Sequence, residues 1–243
     1  MGDAERRLEV TLAIAGWDYL SFRSYTFRAG QVVAGESAAD EMAMVLLSGA
    51  VTIEVAGPGW GETWECRGRE EVFAGTPFAI YLPPGHTYRT TVHADADCAY
   101  GRAPADGTRP PRLVRPEDVA AETDGAGNRT TRILNPEDTE HLLCAETIVE
   151  GGRWQGLPPH QDKVPAAGER DREEVTYYRM QPADGWALQR IFTDDDAVDE
   201  ALTVHHADAT IARPGEHHPV VAAPGTLVYA LRFLAGPDVG WPR

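Results

Sequence analysis

Five side chains of metal-binding type lie in the C-terminal half of the chain. His160 and Asp162 stand two residues apart in RWQGLPPHQDKVPAAGERDREEVTYY, and Glu174 begins the alternating end of that stretch. Residues two apart on an extended segment point to the same side, so the His160 and Asp162 side chains converge. His217 and His218 precede another apolar run. Carried on strands of one small barrel, these groups predict a site for a divalent transition metal.

The run that begins at Glu174 alternates, so every second side chain points to the same side of the strand. Thr176 and Tyr178 therefore share the face of Glu174. If Glu174 faces the interior of the barrel, Thr176 and Tyr178 do too, and both become candidates for binding a substrate. The Tyr178 hydroxyl suits a substrate hydroxyl; the alternative is a core aromatic whose hydroxyl meets a backbone partner.

Arg190 lies in the run WALQRIF, on the same side of the predicted strand as Leu188 and Phe192. A charged group in that apolar setting requires a partner. One interpretation is a two-pronged grip on a substrate carboxylate, and the other is a salt bridge to one of the aspartates at 194–196. Arg190 is therefore a further candidate for substrate binding.

The chain has 243 residues, 42% of them hydrophobic, and a formal net charge of −16. This charge repels a phosphate backbone or an anionic membrane surface, which argues against nucleic acid and membranes as partners. The first residues do not resemble a secretory signal, and no run reaches the length of a membrane span. The three cysteines, Cys66, Cys98 and Cys144, are widely spaced and odd in number, which suits a reducing compartment. We therefore expect a cytoplasmic protein.

Short runs of β-branched and apolar residues recur along the whole chain, as in MAMVLL, PFAIYLP and TLVYALRFLA. Separated by Gly, Pro and Asp, they are typical of an all-β barrel or sandwich. The segments FAGTPFAIYLPPGH and ATIARPGEH end alike, which indicates an internal repeat. We predict a bicupin, that is, two double-stranded β-helix (jelly-roll) barrels. The predicted boundaries are an N-terminal barrel at 1–110, a connector at 111–130 and a C-terminal barrel at 131–243.

The predicted N-terminal barrel offers Glu41 and His86 in the corresponding places, but no two His residues spaced as i and i+2 there. One His and one carboxylate make a poor metal site, so no metal is expected in this barrel. We expect it to be structural, covering the other barrel and helping to assemble copies of the chain into a homo-oligomer.

Several further segments follow one another in a characteristic order: LSGAVTIEV, AIYLPPG, AGNRTTRILNPED, PPHQDK, LQRIFTDDD and AAPGTLVYALRFLAGP. Together they resemble the 5-deoxyglucuronate isomerases of myo-inositol breakdown, the IolB type of the KduI/IolB bicupin superfamily. The resemblance implies an aldose to ketose isomerisation of a deoxy uronic acid. The expected reaction converts 5-deoxy-glucuronate to 5-dehydro-2-deoxy-gluconate or acts on a related sugar acid, so the expected partner is a small-molecule sugar acid.

The resemblance also implies a divalent metal in the C-terminal barrel, zinc first, with manganese or iron as alternatives. Carried over position by position, His160 and Glu174 match ligands of the family, and Glu174 is in addition the candidate catalytic carboxylate. The last His ligand is His217 or His218, and the spacing to Tyr229 favours His217.

Asp162 departs from the family pattern, because it stands where the family has a second His. An added negative ligand favours harder ions such as manganese or iron. His160 and Asp162 with a distant His also make the facial triad of nonhaem iron oxygenases. Two alternatives to an isomerase therefore stay open. One is an iron-dependent cupin oxygenase, and the other is a non-catalytic bicupin that binds a sugar acid or acts as a scaffold.

Overall fold

The computed structural model of the chain describes residues 5–156, 172–213, 215–237 and 240–241. The predicted all-β class is confirmed, since the helical structure in these ranges is limited to α1 (Leu12–Ala15) and a 3-10 turn (Pro116–Asp118). No helix in them is long and apolar enough to cross a membrane. The chain divides into two compact units: a first unit of Met1–Ala120 and Pro136–Leu142, and a second unit of Ala121–Asn135 and Leu143–Arg243.

The first unit is built on one eight-stranded sheet. Its strands are β1 (Glu5–Val10), β2 (Ser21–Phe27), β3 (Val32–Glu36), β4 (Asp40–Gly57), β5 (Trp60–Arg67), β6 (Phe78–Leu82), β7 (Thr87–Pro104) and β8 (Arg112–Val114). The two long strands β4 and β7 pair along most of their length, and their register shifts between Leu46 and Val51. On one side of this shift they pair with β2 and β6, and on the other side with β3 and β5.

The core of the first unit lies between the two halves of the long strands. One apolar cluster takes Met42, Met44 and Leu46 from the first half of β4 and Val51 and Ile53 from its second half. The sheet therefore folds over at the register shift, and its two layers enclose a single core.

The second unit has two sheets. The six-stranded sheet has the order β16 (Ala209–Ala212), β13 (Glu173–Gln181), β18 (Leu227–Ala235), β11 (Leu142–Val149), β10 (Arg129–Leu134) and β9 (Ala121–Thr123). The four-stranded sheet has the order β12 (Trp154–Gln155), β17 (Val220–Ala222), β14 (Trp186–Phe192) and β15 (Asp199–His205).

These two sheets face each other across a common core. Tyr178 and Val228 of the six-stranded sheet belong to the same apolar cluster as Ala187, Val204 and Val220 of the four-stranded sheet. Side chains alternate along a strand, so this cluster defines which face of each strand is turned to the interior of the second unit.

The stretch predicted as a connector, 111–130, does not form a separate segment. β8 adds to the first sheet beside β6, and β9 pairs with β10 in the second unit. The chain then returns to the first unit over Pro136–Leu142 before it continues along β11. The boundaries differ from the prediction because strand pairing on both sides draws this Pro- and Gly-rich stretch into the two sheets.

Candidate active site

The β13 strand carries the carboxylate around which the candidate site is built. Tyr178 and Met180 belong to the interior cluster, so Glu174 and Thr176, an even number of residues away, face the same interior. Glu174 is only 6% exposed. The Thr176 hydroxyl donates a hydrogen bond of 3.2 Å to Glu174 Oε1. Since the other carboxylate oxygen is not used by Thr176, it is left to face a second donor or an ion.

His218 supplies the group nearest to that second oxygen. Its Nε2 lies 3.5 Å from Glu174 Oε2. The local reason is alternation: Val220 belongs to the interior cluster, and His218 stands two residues before it on an extended segment. The sequence therefore turns His218 towards Glu174.

His217 points elsewhere, although the spacing count favoured it as the ligand. Its backbone forms an isolated bridge with Phe192, and its Nε2 lies 2.9 Å from Oδ1 of the exposed Asp194. Adjacent residues of an extended segment point to opposite sides, so only one of the two histidines can face the interior. The structure brings His218 to Glu174 and takes His217 away from it.

The separation of Glu174 and His218 fits a pair of donors to one divalent metal. Two donors at about 2.1 Å from one tetrahedral ion lie about 3.4 Å apart. The 3.5 Å between His218 Nε2 and Glu174 Oε2 matches this separation, and an imidazole nitrogen with a carboxylate oxygen is a fitting donor pair. In the described ranges no group of three or more His, Cys, Asp or Glu side chains comes together. The other two predicted ligands, His160 and Asp162, lie outside the described residues.

Tyr178 lies deeper on the same face, fully buried, with its hydroxyl 3.5 Å from the hydroxyl of Thr210 on β16. Burial raises the pKa of the Tyr178 phenol well above its ordinary value, and the negative charge of Glu174 acts in the same direction. The phenol is therefore neutral at ordinary pH and keeps a proton to donate. This is compatible with either interpretation of Tyr178, the substrate donor or the core aromatic.

Arg190 does not face the interior, which corrects the prediction that it binds a substrate. Its side chain is 47% exposed and forms a two-pronged salt bridge with Asp199, at 2.7 and 2.9 Å. The guanidinium also lies over the ring of Phe192. The buried side chains of β14 are Ala187, Gln189 and Ile191, so Arg190 belongs to the outer face. The salt-bridge interpretation is the correct one, with Asp199 as the partner and not an aspartate of 194–196.

Gln189, the neighbour of Arg190, is an interior polar residue that the sequence interpretation missed. It is 2% exposed, and its Nε2 donates to the backbone oxygen of His218 at 3.3 Å. Among the described residues nothing donates to its Oε1. Gln189 thus fixes the backbone that carries the inward-facing histidine and keeps an acceptor free in the interior. No periodic signal in the sequence places it on the interior face, because the opposite face of β14 is the more apolar one.

Solved structures with the same architecture define the class of the protein. An oxalate decarboxylase of Lactobacillus farciminis superposes with a TM-score of 0.71 at 9% identity, covering 98% of this chain and 85% of its own. At that identity the match shows the fold alone. The predicted bicupin fold is confirmed, and the donor pair Glu174 and His218 lies in the second of its two barrels.

A family model narrows the class to one family. The model of the KduI/IolB family matches residues 2–243, and the chain belongs to this family. An IolB-like protein from Salmonella typhimurium LT2 superposes with a TM-score of 0.90 at 28% identity, covering 99% of this chain and 92% of that one.

Curated relatives carry a functional name. A protein of Geobacillus kaustophilus is 35% identical over 96% of this chain and 86% of its own length, and one of Bacillus subtilis is 30% identical over 96% and 87%. Each of these two relatives is named 5-deoxy-glucuronate isomerase.

Proposed function

We propose that this protein is an aldose to ketose isomerase that acts on a deoxy uronic acid of the 5-deoxy-glucuronate type. The observation that carries the proposal is the buried Glu174 beside His218 on the interior face of the second barrel. The relatives named 5-deoxy-glucuronate isomerase match this chain over most of their own length. The expected setting is the breakdown of myo-inositol or a related sugar-acid pathway.

The reaction moves hydrogen between two adjacent carbons. A proton leaves C2 of the aldose and is delivered to C1, while the hydroxyl proton passes to the former carbonyl oxygen, so that a C2 ketone and a C1 hydroxyl result. A carboxylate held at the substrate serves as the base that takes and returns the carbon-bound proton. Glu174 suits this role because Thr176 fixes its orientation from one side and His218 approaches it from the other.

A divalent metal, zinc first and manganese or iron as alternatives, would be held by Glu174 and His218 together with the predicted ligands His160 and Asp162. When bound, it would supply Lewis-acid stabilisation of the negative charge that develops on the substrate oxygen. Tyr178, protonated at ordinary pH, would donate to a substrate hydroxyl from deeper in the barrel. The buried setting strengthens each of these interactions, because little water competes for the polar groups.

The test combines metal content with turnover in protein purified without a metal-chelating tag. Glu174→Gln keeps the size of the side chain but removes its charge, and Glu200→Gln makes the same change at an exposed position of β15. We expect near-stoichiometric metal in the wild type by plasma mass spectrometry, and conversion of 5-deoxy-glucuronate followed by proton NMR. Glu174→Gln should lose most of the metal and roughly a hundredfold or more in turnover, whereas Glu200→Gln should keep both.

Three results would overturn the proposal. A wild type that carries metal yet converts no deoxy uronic acid is not this isomerase. Bound iron with substrate-dependent consumption of oxygen would establish the oxygenase instead. A wild type that stays without metal when metal is added, yet binds a sugar acid, would establish the non-catalytic binding protein.

A further inference from the structure

Arg232 carries a positive charge onto the interior face of the second barrel. It lies on β18, where Val228 and Ala230 belong to the interior cluster, and alternation gives Arg232 the same face. In the antiparallel pairing of β13 and β18, Arg232 stands directly opposite Thr176. Directly opposed residues of an antiparallel pair project to the same side, so the Arg232 side chain emerges beside Thr176, one step along the sheet from Glu174.

The Nε of Arg232 has no hydrogen-bond partner among the described residues. This N–H group is shielded from solvent and donates to no described residue, although the Arg232 side chain as a whole is half-buried. The outward-facing Arg190 differs in this respect, since both prongs of its guanidinium meet Asp199. A shielded N–H donor without an acceptor is costly, because water does not replace the hydrogen bond that it lacks.

The surroundings of Arg232 offer polar groups to a ligand that has both an anionic end and hydroxyl groups. The positive charge of Arg232 influences the ionisation of Tyr178, which places it within electrostatic reach of that phenol. Gln189 contributes an acceptor oxygen that nothing in the described ranges occupies. The interior therefore holds an N–H donor of Arg232 and an acceptor oxygen of Gln189 that have no partner among the described residues. The two groups lie on opposing sheets, and the contacting pair Glu174 and His218 lies on the same interior faces.

We infer that Arg232 binds the carboxylate of the sugar acid, at the end of the substrate remote from the reacting carbons. This rests on the proposed function. Glu174 and Thr176 are two residues apart, so Glu174 and the rung of Arg232 are separated by about 7 Å along the sheet. An extended six-carbon chain spans about 6 Å between its end carbons. An aldehyde end at Glu174 and a carboxylate end at Arg232 thus fit one substrate, and a guanidinium is suited to hold a carboxylate by two parallel hydrogen bonds.

The test compares an acidic substrate with its neutral counterpart in three variants. Arg232→Met removes the charge and retains much of the apolar stem, Arg232→Lys retains the charge but not the fork, and Arg190→Met is the matched control on the outer face. The ligands are 5-deoxy-glucuronate and 5-deoxy-glucose, which differ in the carboxylate against a hydroxymethyl group. We expect KM for the acid to rise roughly 10- to 100-fold in Arg232→Met, as for the loss of hydrogen bonds to a charged group.

In the same variant, the kinetic constants for 5-deoxy-glucose should change less than threefold, and Arg232→Lys should fall between Met and wild type for the acid. Arg190→Met should leave both substrates as in the wild type. The melting temperature of Arg232→Met without ligand should equal or exceed that of the wild type, because a shielded N–H donor without a partner is removed. An unchanged KM for the acid, or an equal loss for both substrates, would overturn the assignment.

Failure of the proposed function is distinguishable from failure of this inference. If the wild type converts neither sugar, calorimetric titration with D-glucuronate and D-glucose still decides the role of Arg232. Binding of D-glucuronate that exceeds that of D-glucose, and that Arg232→Met abolishes, supports the carboxylate site. A preference for the acid that survives in Arg232→Met, or no binding of D-glucuronate to the wild type, contradicts it.

Discussion

His217 and His218 are adjacent and therefore face opposite sides of an extended segment, so a shift of one residue decides which histidine enters the site. His218 faces Glu174, and His217 faces the exposed Asp194. We expect His218→Ala to lose bound metal and to lower turnover roughly a hundredfold or more, as when a group that organises the reacting atoms is removed. His217→Ala should retain metal and stay within about threefold of wild-type turnover, because it removes only a contact with an exposed aspartate, which has little energetic weight.

The measurement is metal content and NMR-monitored turnover of the two variants side by side. Equal losses in both would indicate that His217 acts on the site through the backbone that it shares with His218. Loss in His217→Ala alone would reverse the assignment and return it to the ligand that the spacing count favoured.

Alternation alone was enough to group Glu174, Thr176 and Tyr178 on one face of a strand, and the structure turns that face to the interior. The same rule, applied backwards from the apolar pair Val220 and Ala222, selects His218. The spacing count selected His217 because it relied on the length of a loop, and loops tolerate insertions that strands do not. His160 and Asp162 stay predictions, since they lie outside the described residues.

At the scale of elements, Arg190 shows why the faces of some strands cannot be read from sequence. Leu188 is apolar but 37% exposed, whereas Gln189 is polar and 2% exposed, so the interior face of β14 does not have the more apolar composition. Arg232 was missed for a related reason. β18 is buried on both faces, so its sequence is a nearly continuous apolar run. Such a run does not show which face of the strand its one charged residue occupies.

The register shift of β4 depends on a glycine that the sequence interpretation did not single out. Gly49 has a φ of +93°, and a Cβ at this position would lie 2.3 Å from the backbone oxygen of Asp95. We expect Gly49→Ala to lower the free energy of unfolding by about 3 kcal/mol, through both backbone strain and the clash. Gly59 has a φ of +69° with nothing within 4 Å of its Cβ, so Gly59→Ala carries the backbone cost alone, about 1 kcal/mol.

Urea denaturation of both variants separates the two contributions. A loss in Gly49→Ala no larger than that in Gly59→Ala would mean that Asp95 and its neighbours move aside without cost. The register shift between β4 and β7 would then accommodate a side chain at position 49 despite the close contact.

At the scale of the whole molecule, the two units are not consecutive halves of the sequence. Pro136–Leu142 lies in the first unit, although β10 before it and most of β11 after it belong to the second. Composition located the neighbourhood of the boundary, since Pro, Gly and charge are dense there, but not this return of the chain. The return depends on long-range pairing and on one buried carboxylate, neither of which leaves a periodic pattern in the sequence.

That carboxylate is Glu41, which was considered in the sequence only as an isolated metal donor. It is fully buried and accepts hydrogen bonds from the Tyr81 hydroxyl and from the backbone N–H groups of Glu140 and His141, at 2.8, 2.8 and 2.7 Å. Because three donors already occupy the carboxylate, its role is structural and not that of a metal ligand. Glu41 holds the returning segment in the first unit, so Glu41→Ala, which strands these donors, should lower the free energy of unfolding by about 3 kcal/mol.

The same group makes stability depend on pH in a defined direction. Burial raises the pKa of the Glu41 carboxyl above its ordinary 4.5, and the three donated hydrogen bonds oppose this without cancelling it. The folded protein therefore holds this proton more tightly than the unfolded chain does, and the stabilising contribution is complete below about 4.5 and is lost as the pH rises through the folded pKa. Glu41→Gln, neutral throughout, lacks this contribution.

In urea titrations between pH 4 and pH 8, we expect the unfolding free energy of the wild type to fall relative to that of Glu41→Gln as the pH rises and then to level off. If the unfolding free energy of the wild type instead rises relative to that of Glu41→Gln as the pH rises, the hydrogen bonds outweigh burial. Glu41 would then be held as a carboxylate whose pKa is lowered.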